Sequence, residues 1–287
     1  MQTQENQTDL LRIVYTPNDI ARLTMKVIEE RIAKKGQGLR TNIASLDKLL
    51  MPFLPGELIG IMARTSNYKT GFMQFLARQF TQQIIEQEAQ NEMVVYVTWE
   101  VSIEELGFYD LAYGSQLNAS RVWQGDVSPE ELAKIQAASM HRAASPIWAI
   151  GHSLTRRREL QKLTLRNVND ALVEIERRMD WHPRAVFLDY LQEIDNAEGQ
   201  DRRERMINNV EMAKQLARNM GCPVFMGMQA GRKLDERSFK LPAIGDGEET
   251  SRLEQSADKL IALWMPKNNL AIGDSVPEIG WKVTDNL

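Results

Sequence analysis

Five short runs of apolar, largely β-branched or aromatic residues, separated by stretches of helical periodicity, restrict what this chain can fold into. They are Leu58–Met62, Val94–Trp99, Ala185–Leu188, Pro223–Met228 and Leu260–Trp264. Such a run has no polar face to offer water, so it belongs inside a layered structure and is covered on both sides. Between them, Gly71–Gln87, Val168–Met179 (with Val168, Leu172, Ile175 and Met179 on one face) and Arg205–Asn219 read as helices. Alternating strands and helices predict an α/β domain with a parallel sheet between helical layers. No run is long enough to span a bilayer, and the start, Met1-Gln2-Thr3-Gln4, lacks the basic and apolar segments of a leader, so neither a membrane nor a secreted protein is expected. The single cysteine, Cys222, excludes an intramolecular disulfide and fits a reducing cytoplasm. Three well-separated histidines, His141, His152 and His182, leave little for a transition-metal cluster. A formal charge of −4 removes the general electrostatic case for coating nucleic acid. DNA contact would have to rest on local basic loops.

Ahead of the first run, residues 1–15 form a polar tail that is expected to be disordered, and 16–36 a helix. Thr16-Pro17-Asn18-Asp19 supplies a hydroxyl cap, proline at the first helical position and an acid three residues after the cap. Ile20, Leu23, Val27, Ile28 and Ile32 then recur on one face, and Lys34, Lys35 and Gly36 mark the stop. The helix is expected from Pro17 to Lys35, with the α/β domain over 37–287.

The first run leads into Ala63-Arg64-Thr65-Ser66-Asn67-Tyr68-Lys69-Thr70 and then an apolar helix from Gly71. A phosphate-binding loop has this placement: backbone N–H groups and a helix N-terminus face the phosphates, a lysine neutralises them and a hydroxyl holds Mg²⁺. Arg64, Thr65, Ser66, Asn67, Tyr68, Lys69, Thr70 and Gly71 are thus candidate ATP-binding residues, although Ala63 and Tyr68 stand where the pattern has glycine. Alone, Lys69-Thr70 also reads as a solvated first helical turn. Asp189 ends the third run, where a carboxylate can serve Mg²⁺ or cap a turn. Glu100 ends the second, where it can activate water, with Ser102 and Glu105 forming a capping box just beyond. Gln229 follows the fourth, as a phosphate contact or a polar strand terminus.

Taken together, these segments resemble the RecA-like motor domain of the DnaB family of replicative helicases, from Gly38 to Trp264. The resemblance is carried by Leu39–Leu50 with Pro55-Gly56-Glu57-Leu58, by Val97-Thr98-Trp99-Glu100-Val101-Ser102, by Phe187-Leu188-Asp189-Tyr190-Leu191-Gln192, by Val224–Gln229, and by Leu253-Glu254-Gln255-Ser256-Ala257-Asp258. It implies a RecA-like P-loop core of five strands in the order 5-1-4-3-2, a ring of subunits that is usually a hexamer, and a helix over 16–36 that docks on a neighbouring subunit. It further implies bacterial or phage-type cytoplasmic origin, ATP and Mg²⁺ as cofactors, and hydrolysis coupled to translocation on single-stranded DNA and duplex unwinding. Glu100 would then handle the water, Lys69 the phosphates, Gln229 would sense the γ-phosphate, and Thr70 and Asp189 would hold Mg²⁺.

For DNA, the expected loops are Ala197–Arg205, with Arg202, Arg203 and Arg205, and Ala230–Gly247, with Arg232, Lys233, Arg237 and Lys240. Their neighbours Glu198, Asp201, Glu204, Asp235 and Glu236 could equally pair with these cations on a solvated surface. Glu248 stands where the family carries an arginine. The chain is expected to lack the family's N-terminal collar domain, and with it the usual primase contact, and the C-terminal strands that carry the arginine finger; primase or a loader remain candidate partners. Two other functions stay open: a RecA-fold structural or assembly component impaired in nucleotide binding or hydrolysis, and a recombination- or clock-type ATPase. Asp189-Tyr190-Leu191-Gln192 favours the helicase branch over the latter.

Overall fold

The computed structural model describes residues 14–33, 38–50, 52–65, 67–156, 162–194, 201–231, 234, 242 and 255–264. The chain divides into two units, Met1–Gly38 and Leu39–Leu287.

In the first unit, helix α1 spans Pro17–Ala33. Its start is the capping arrangement expected from the sequence: the Asp19 amide donates to Thr16 Oγ1 at 3.2 Å, and the Asp19 carboxylate accepts from the Thr16 amide at 3.1 Å. Lys34, Lys35 and Gly36 lie outside the described residues.

The second unit runs α2 (Ala44–Asp47), β1 (Leu58–Ala63), α3 (Lys69–Glu86), β2 (Glu92–Thr98), α4 (Ile103–Ser115), α5 (Ala119–Gln124), α6 (Pro129–Ala144), β3 (Ile147–Ile150), α7 (Leu165–Met179), β4 (His182–Asp189), a 3-10 turn Leu191–Glu193, α8 (Arg202–Met220), β5 (Val224–Gln229) and β6 (Lys259–Leu263). All pairings among these strands are parallel, in the order β3-β2-β4-β5-β1-β6. The five apolar runs are β1, β2, β4, β5 and β6, neighbours in the expected order. The sixth strand, β3, is a correction: Ile147-Trp148-Ala149-Ile150 adds to the free edge of β2. It pairs on one side only and buries only Ile147 fully, so its sequence carries half the usual signal.

Alternation along each strand builds two cores. Leu58, Met62, Val95, Val97, Val186, Leu188, Val224 and Met226 face α7 and α8, with Val168, Leu172, Val210 and Ala213 against them. Ile59, Ile61, Tyr96, Phe187 and Phe225 face α3, whose Met73, Leu76, Phe80 and Ile84 close that side. Tyr96, Phe187 and Phe225 lie in register across β2, β4 and β5, with ring centroids 5.9 and 4.7 Å apart. This aromatic ladder holds the strands that carry the candidate site flat against α3.

Charged groups tie the outer elements. Asp110 of α4 accepts from Arg78 of α3 and Arg142 of α6, each at 3.0 Å. At the opposite end of the sheet, Asp258 accepts from the Leu58 amide at 2.7 Å and pairs with Lys214, which also donates to the Gly56 carbonyl. Asp258, the last residue of the motif at 253–258, therefore has a structural role, closing the start of β1 against β6.

Candidate functional site

Because β2, β4, β5 and β1 are adjacent and parallel, their C-terminal ends share one edge of the sheet. Register sets Thr98 level with Asp189 and Ala63 level with Gln229. The residues that follow these ends are the sequence-derived candidates, and the fold brings most of them together.

After β1 the chain turns tightly, the Asn67 amide donating to the Arg64 carbonyl at 3.1 Å and the Asn67 side chain to the Thr65 carbonyl at 3.2 Å. Arg64 donates to the Ala230 carbonyl at 3.0 Å, which pins this loop to the end of β5. Ser66 lies outside the described residues. Tyr68 then adopts φ 57°, ψ 30°, the left-handed conformation, and α3 begins at Lys69 with no side-chain cap. Holding a tyrosine there costs about 1–2 kcal/mol relative to glycine. The helix starts two residues before the expected Gly71, so Lys69, Thr70 and Gly71 form its first turn, where backbone N–H groups point outward without intrahelical partners.

Lys69 is nearly buried. Its Nζ lies 3.2 Å from the centroid of the Tyr190 ring and 3.9 Å from Asp189 Oδ1. Burial pulls its pKa down to about 8, and the charges of Asp189, Glu100 and Glu193 oppose that. The stem passes Gly227, where a Cβ would come within 3.2 Å of Lys69 Cδ, 3.2 Å of Tyr190 Cβ and 3.0 Å of the Met73 sulfur. A side chain there would press on the lysine stem, the methionine and Tyr190 together, and glycine spares the lysine that crowding.

Asp189 is 1% exposed. Its Oδ2 accepts from the Tyr96 phenol at 2.8 Å, and its Oδ1 has no hydrogen-bond partner among the described residues. Burial, followed by the Asp189 charge, drives the Tyr96 pKa up, so the phenol stays a donor. Sequence reasoning misses Tyr96, which reads as one more aromatic in a buried strand. It misses Glu193 too. That residue accepts from the Tyr190 hydroxyl at 3.2 Å and braces the ring beneath Lys69.

Glu100 sits just past β2, with the preceding Trp99 amide donating to the Asp189 carbonyl at 3.1 Å. Burial, then the charge of Asp189, raises its pKa. The capping box expected beyond it is present, the Ser102 amide donating to Glu105 at 2.8 Å and the Glu105 amide to Ser102 Oγ at 3.2 Å. Gln229 donates its side-chain amide to Thr65 Oγ1 at 2.8 Å, and its backbone exchanges bonds with the Gln192 amide group at 3.2 and 3.4 Å. The end of β5 is thereby joined both to the loop after β1 and to the turn after β4.

The loop after β3 is tied to the first turn of α4 by Glu104, whose carboxylate accepts from Ser153 and Thr155 hydroxyls and from the Leu154 amide. The Ser153 bond foremost holds its pKa down at about 2, against an ordinary 4.5. A depressed carboxyl contributes stability above its unfolded pKa and loses it as pH falls through the folded one. Glu104→Gln is therefore expected to lower the urea midpoint at neutral pH. The gap to wild type should close between about pH 4.5 and pH 2, and a gap that does not change with pH would refute the assignment.

For DNA the structure makes one correction. Arg202, Arg203 and Arg205 are not in a loop; they occupy the first turn of α8, which Asp201 caps by accepting from the Glu204 amide at 2.7 Å. In the sequence Asp201 looks like a charge partner for these arginines, and that hides the earlier helix start. Arg232, Lys233, Arg237, Lys240 and Glu248 lie outside the described residues.

Comparison with known proteins gives the same outline. The family described as DnaB-like helicase C terminal domain matches residues 38–274. The replicative DNA helicase DnaB of Mycoplasma genitalium is 24% identical over 227 residues, covering 78% of this chain and 46% of that protein. The chain spans about half the length of the curated relatives it matches. Among solved structures, one ATPase domain superposes with a TM-score of 0.72 at 21% identity, covering 86% of this chain and 83% of that one. A DnaB-like replicative helicase studied with primase gives 0.68 at 21% identity, covering 83% and 55%. Both likenesses describe the RecA-like fold. Among the described residues, no helix is long and apolar enough to cross a membrane.

Proposed function

The chain belongs to the DnaB-like helicase C-terminal domain family, and on that premise we propose that it is an ATP-driven motor that translocates on single-stranded DNA within a ring of like subunits. The observation that carries this reading is the meeting of Lys69 with Asp189, whose Oδ1 is buried, lacks a hydrogen-bond partner among the described residues and lies 3.9 Å from the ammonium. A buried carboxyl oxygen left without a hydrogen bond is costly unless a cation or its hydration water completes it. The donor set fits Mg²⁺ and nucleotide: Thr70 and Asp189 would hold the ion, and the first turn of α3, with Lys69 and the 64–67 loop, would hold phosphates. Bound there, Mg²⁺ would neutralise charge building on the phosphates.

The chain's own residues divide the work. Glu100 takes a proton from the attacking water, and Lys69 keeps the phosphates in line. Gln229, already bonded to Thr65 and Gln192, passes loss of the terminal phosphate to the segment after β5. Arg202, Arg203 and Arg205 offer backbone phosphates a cluster of cations on the turn that opens α8. The apolar stripe of α1 docks on a neighbouring subunit of the ring, taken as a hexamer, and a primase or loader is the further partner this family reading implies. A second reading, a RecA-fold assembly component that no longer turns over nucleotide, is favoured by one observation, the left-handed Tyr68.

Titration with a fluorescent ATP analogue separates the two. Saturable binding that tightens with Mg²⁺ is expected; no saturable binding with or without Mg²⁺ would leave the assembly reading. Because Tyr68 already holds the left-handed conformation, Tyr68→Gly should raise the free energy of urea unfolding by about 1–2 kcal/mol and leave nucleotide affinity unchanged. A gain in affinity instead would mean that the tyrosine ring, and not its backbone, obstructs the ligand.

A further inference from the structure

We propose that Tyr96 is a positioning residue that fixes which oxygen of Asp189 faces the cation site. The inference rests on the nucleotide-site reading above and concerns a residue that reading does not use.

The two oxygens of Asp189 have different surroundings. Oδ2 points into the sheet and accepts from the Tyr96 hydroxyl at 2.8 Å, while Oδ1 faces Lys69 at 3.9 Å with no hydrogen-bond partner among the described residues. Tyr96 cannot swing away. It is 1% exposed, and its ring stacks on Phe187 at 14° between planes in the rung below Thr98 and Asp189. Parallel register explains the reach: Tyr96 pairs with Phe187 and Thr98 with Asp189, so the phenol extends one step up the same face of the sheet.

Lys69 is equally confined, between the Tyr190 ring and the gap left by Gly227. The carboxylate is therefore the movable partner of the pair, and the phenol is what stops it. Without that donor, Oδ2 would be buried and unpaired. The carboxylate would then gain by turning to share both oxygens with the Lys69 ammonium. An aspartate so engaged offers a hydrated divalent cation a weaker acceptor, so the main loss should appear in the Mg²⁺ requirement, with a smaller one in phosphate binding through the more tightly held Lys69.

The test is a titration of wild type, Tyr96→Phe, Asp189→Asn and the double variant with a fluorescent ATP analogue over a Mg²⁺ series. Phenylalanine keeps the ring and its stacking on Phe187. The expected result is a loss of affinity in Tyr96→Phe without Mg²⁺ that stays well below tenfold, and a half-maximal Mg²⁺ concentration raised on the order of tenfold, the weight of one hydrogen bond to a charged group. In Asp189→Asn the Mg²⁺ response should vanish, and adding Tyr96→Phe should change nothing more. A purely structural tyrosine would lower the unfolding midpoint and leave the Mg²⁺ midpoint where it was, which overturns the proposal. Wild type that binds no nucleotide at any Mg²⁺ concentration overturns the site reading and the proposal together, and that is seen before any variant is compared.

Discussion

Replacing Glu100 with glutamine is expected to lower ATP turnover by a factor on the order of 10²–10⁴ while nucleotide affinity is retained. The amide keeps the shape of the side chain and cannot accept a proton from water. Position supports the choice: Glu100 follows directly on a bond from the Trp99 amide to the Asp189 carbonyl, so its backbone is fixed next to the residue proposed to hold the metal. Its environment supports it too, because burial and the Asp189 charge raise its pKa while Lys69 lowers it, which places an acid within reach of the lysine proposed to hold the phosphates. Steady-state turnover of the assembled protein on single-stranded DNA is the measurement. Undiminished turnover in this variant would move the role to Asp189 or Glu193, the two other acids whose charges reach Lys69.

The second large effect is on stability. Asp110→Ala should cost about 3 kcal/mol in urea unfolding, the low end of what removing one partner of a buried ion pair costs. The carboxylate side chain is 8% exposed and joins α3, α4 and α6 through Arg78 and Arg142. Its loss leaves two guanidinium groups facing each other across a gap, but their side chains remain 23% and 29% exposed, so water recovers part of the cost. A change below about 1 kcal/mol would show that the arginines rehydrate fully and that the cluster acts as a surface pair.

How much of this can be read in the sequence follows from how each feature is encoded. Strands buried on both faces are written as unbroken apolar runs, so β1, β2, β5 and β6 are legible to within two residues of their observed ends, while β4 begins three residues before its run, at His182. The edge strand β3 is four residues long and half-covered, and nothing in Ile147–Ile150 separates it from the end of a helix. Helix starts carried by side-chain caps are also open to reading. Ser102 shows this for α4, and Ser128, with proline after it and Glu131 closing the box, carries the same signal for α6, which the sequence reading leaves unused. In the site, Lys69, Glu100, Asp189 and Gln229 are legible as candidates because each ends or follows an apolar run, and the family resemblance supplies the roles expected of them. Tyr96 and Gly227 are not, since their roles depend on what lies beside them across the sheet, and cross-strand register is not present in a local window. The conformation of Tyr68 lies between these cases: the cost of positive φ is foreseeable, and the structure supplies the angle.

The sheet order also bears on how the chain acquires its structure. β1 is the first strand made, yet both its neighbours, β5 and β6, come from far downstream; Arg64 reaches Ala230 across 166 residues, and Leu58 reaches Asp258 across 200. At ribosomal speeds of about 5–20 residues per second, Leu58–Ala63 waits roughly 10–40 s for its second neighbour. During that interval six apolar residues have two unpaired edges. Such a segment is a template for association with other nascent chains, and the contacts that retire it are of the long-range kind that form slowly. The yield of folded protein should therefore be governed by what shields β1 during synthesis, with chaperone supply and growth temperature acting as stronger levers than the stability of the finished domain.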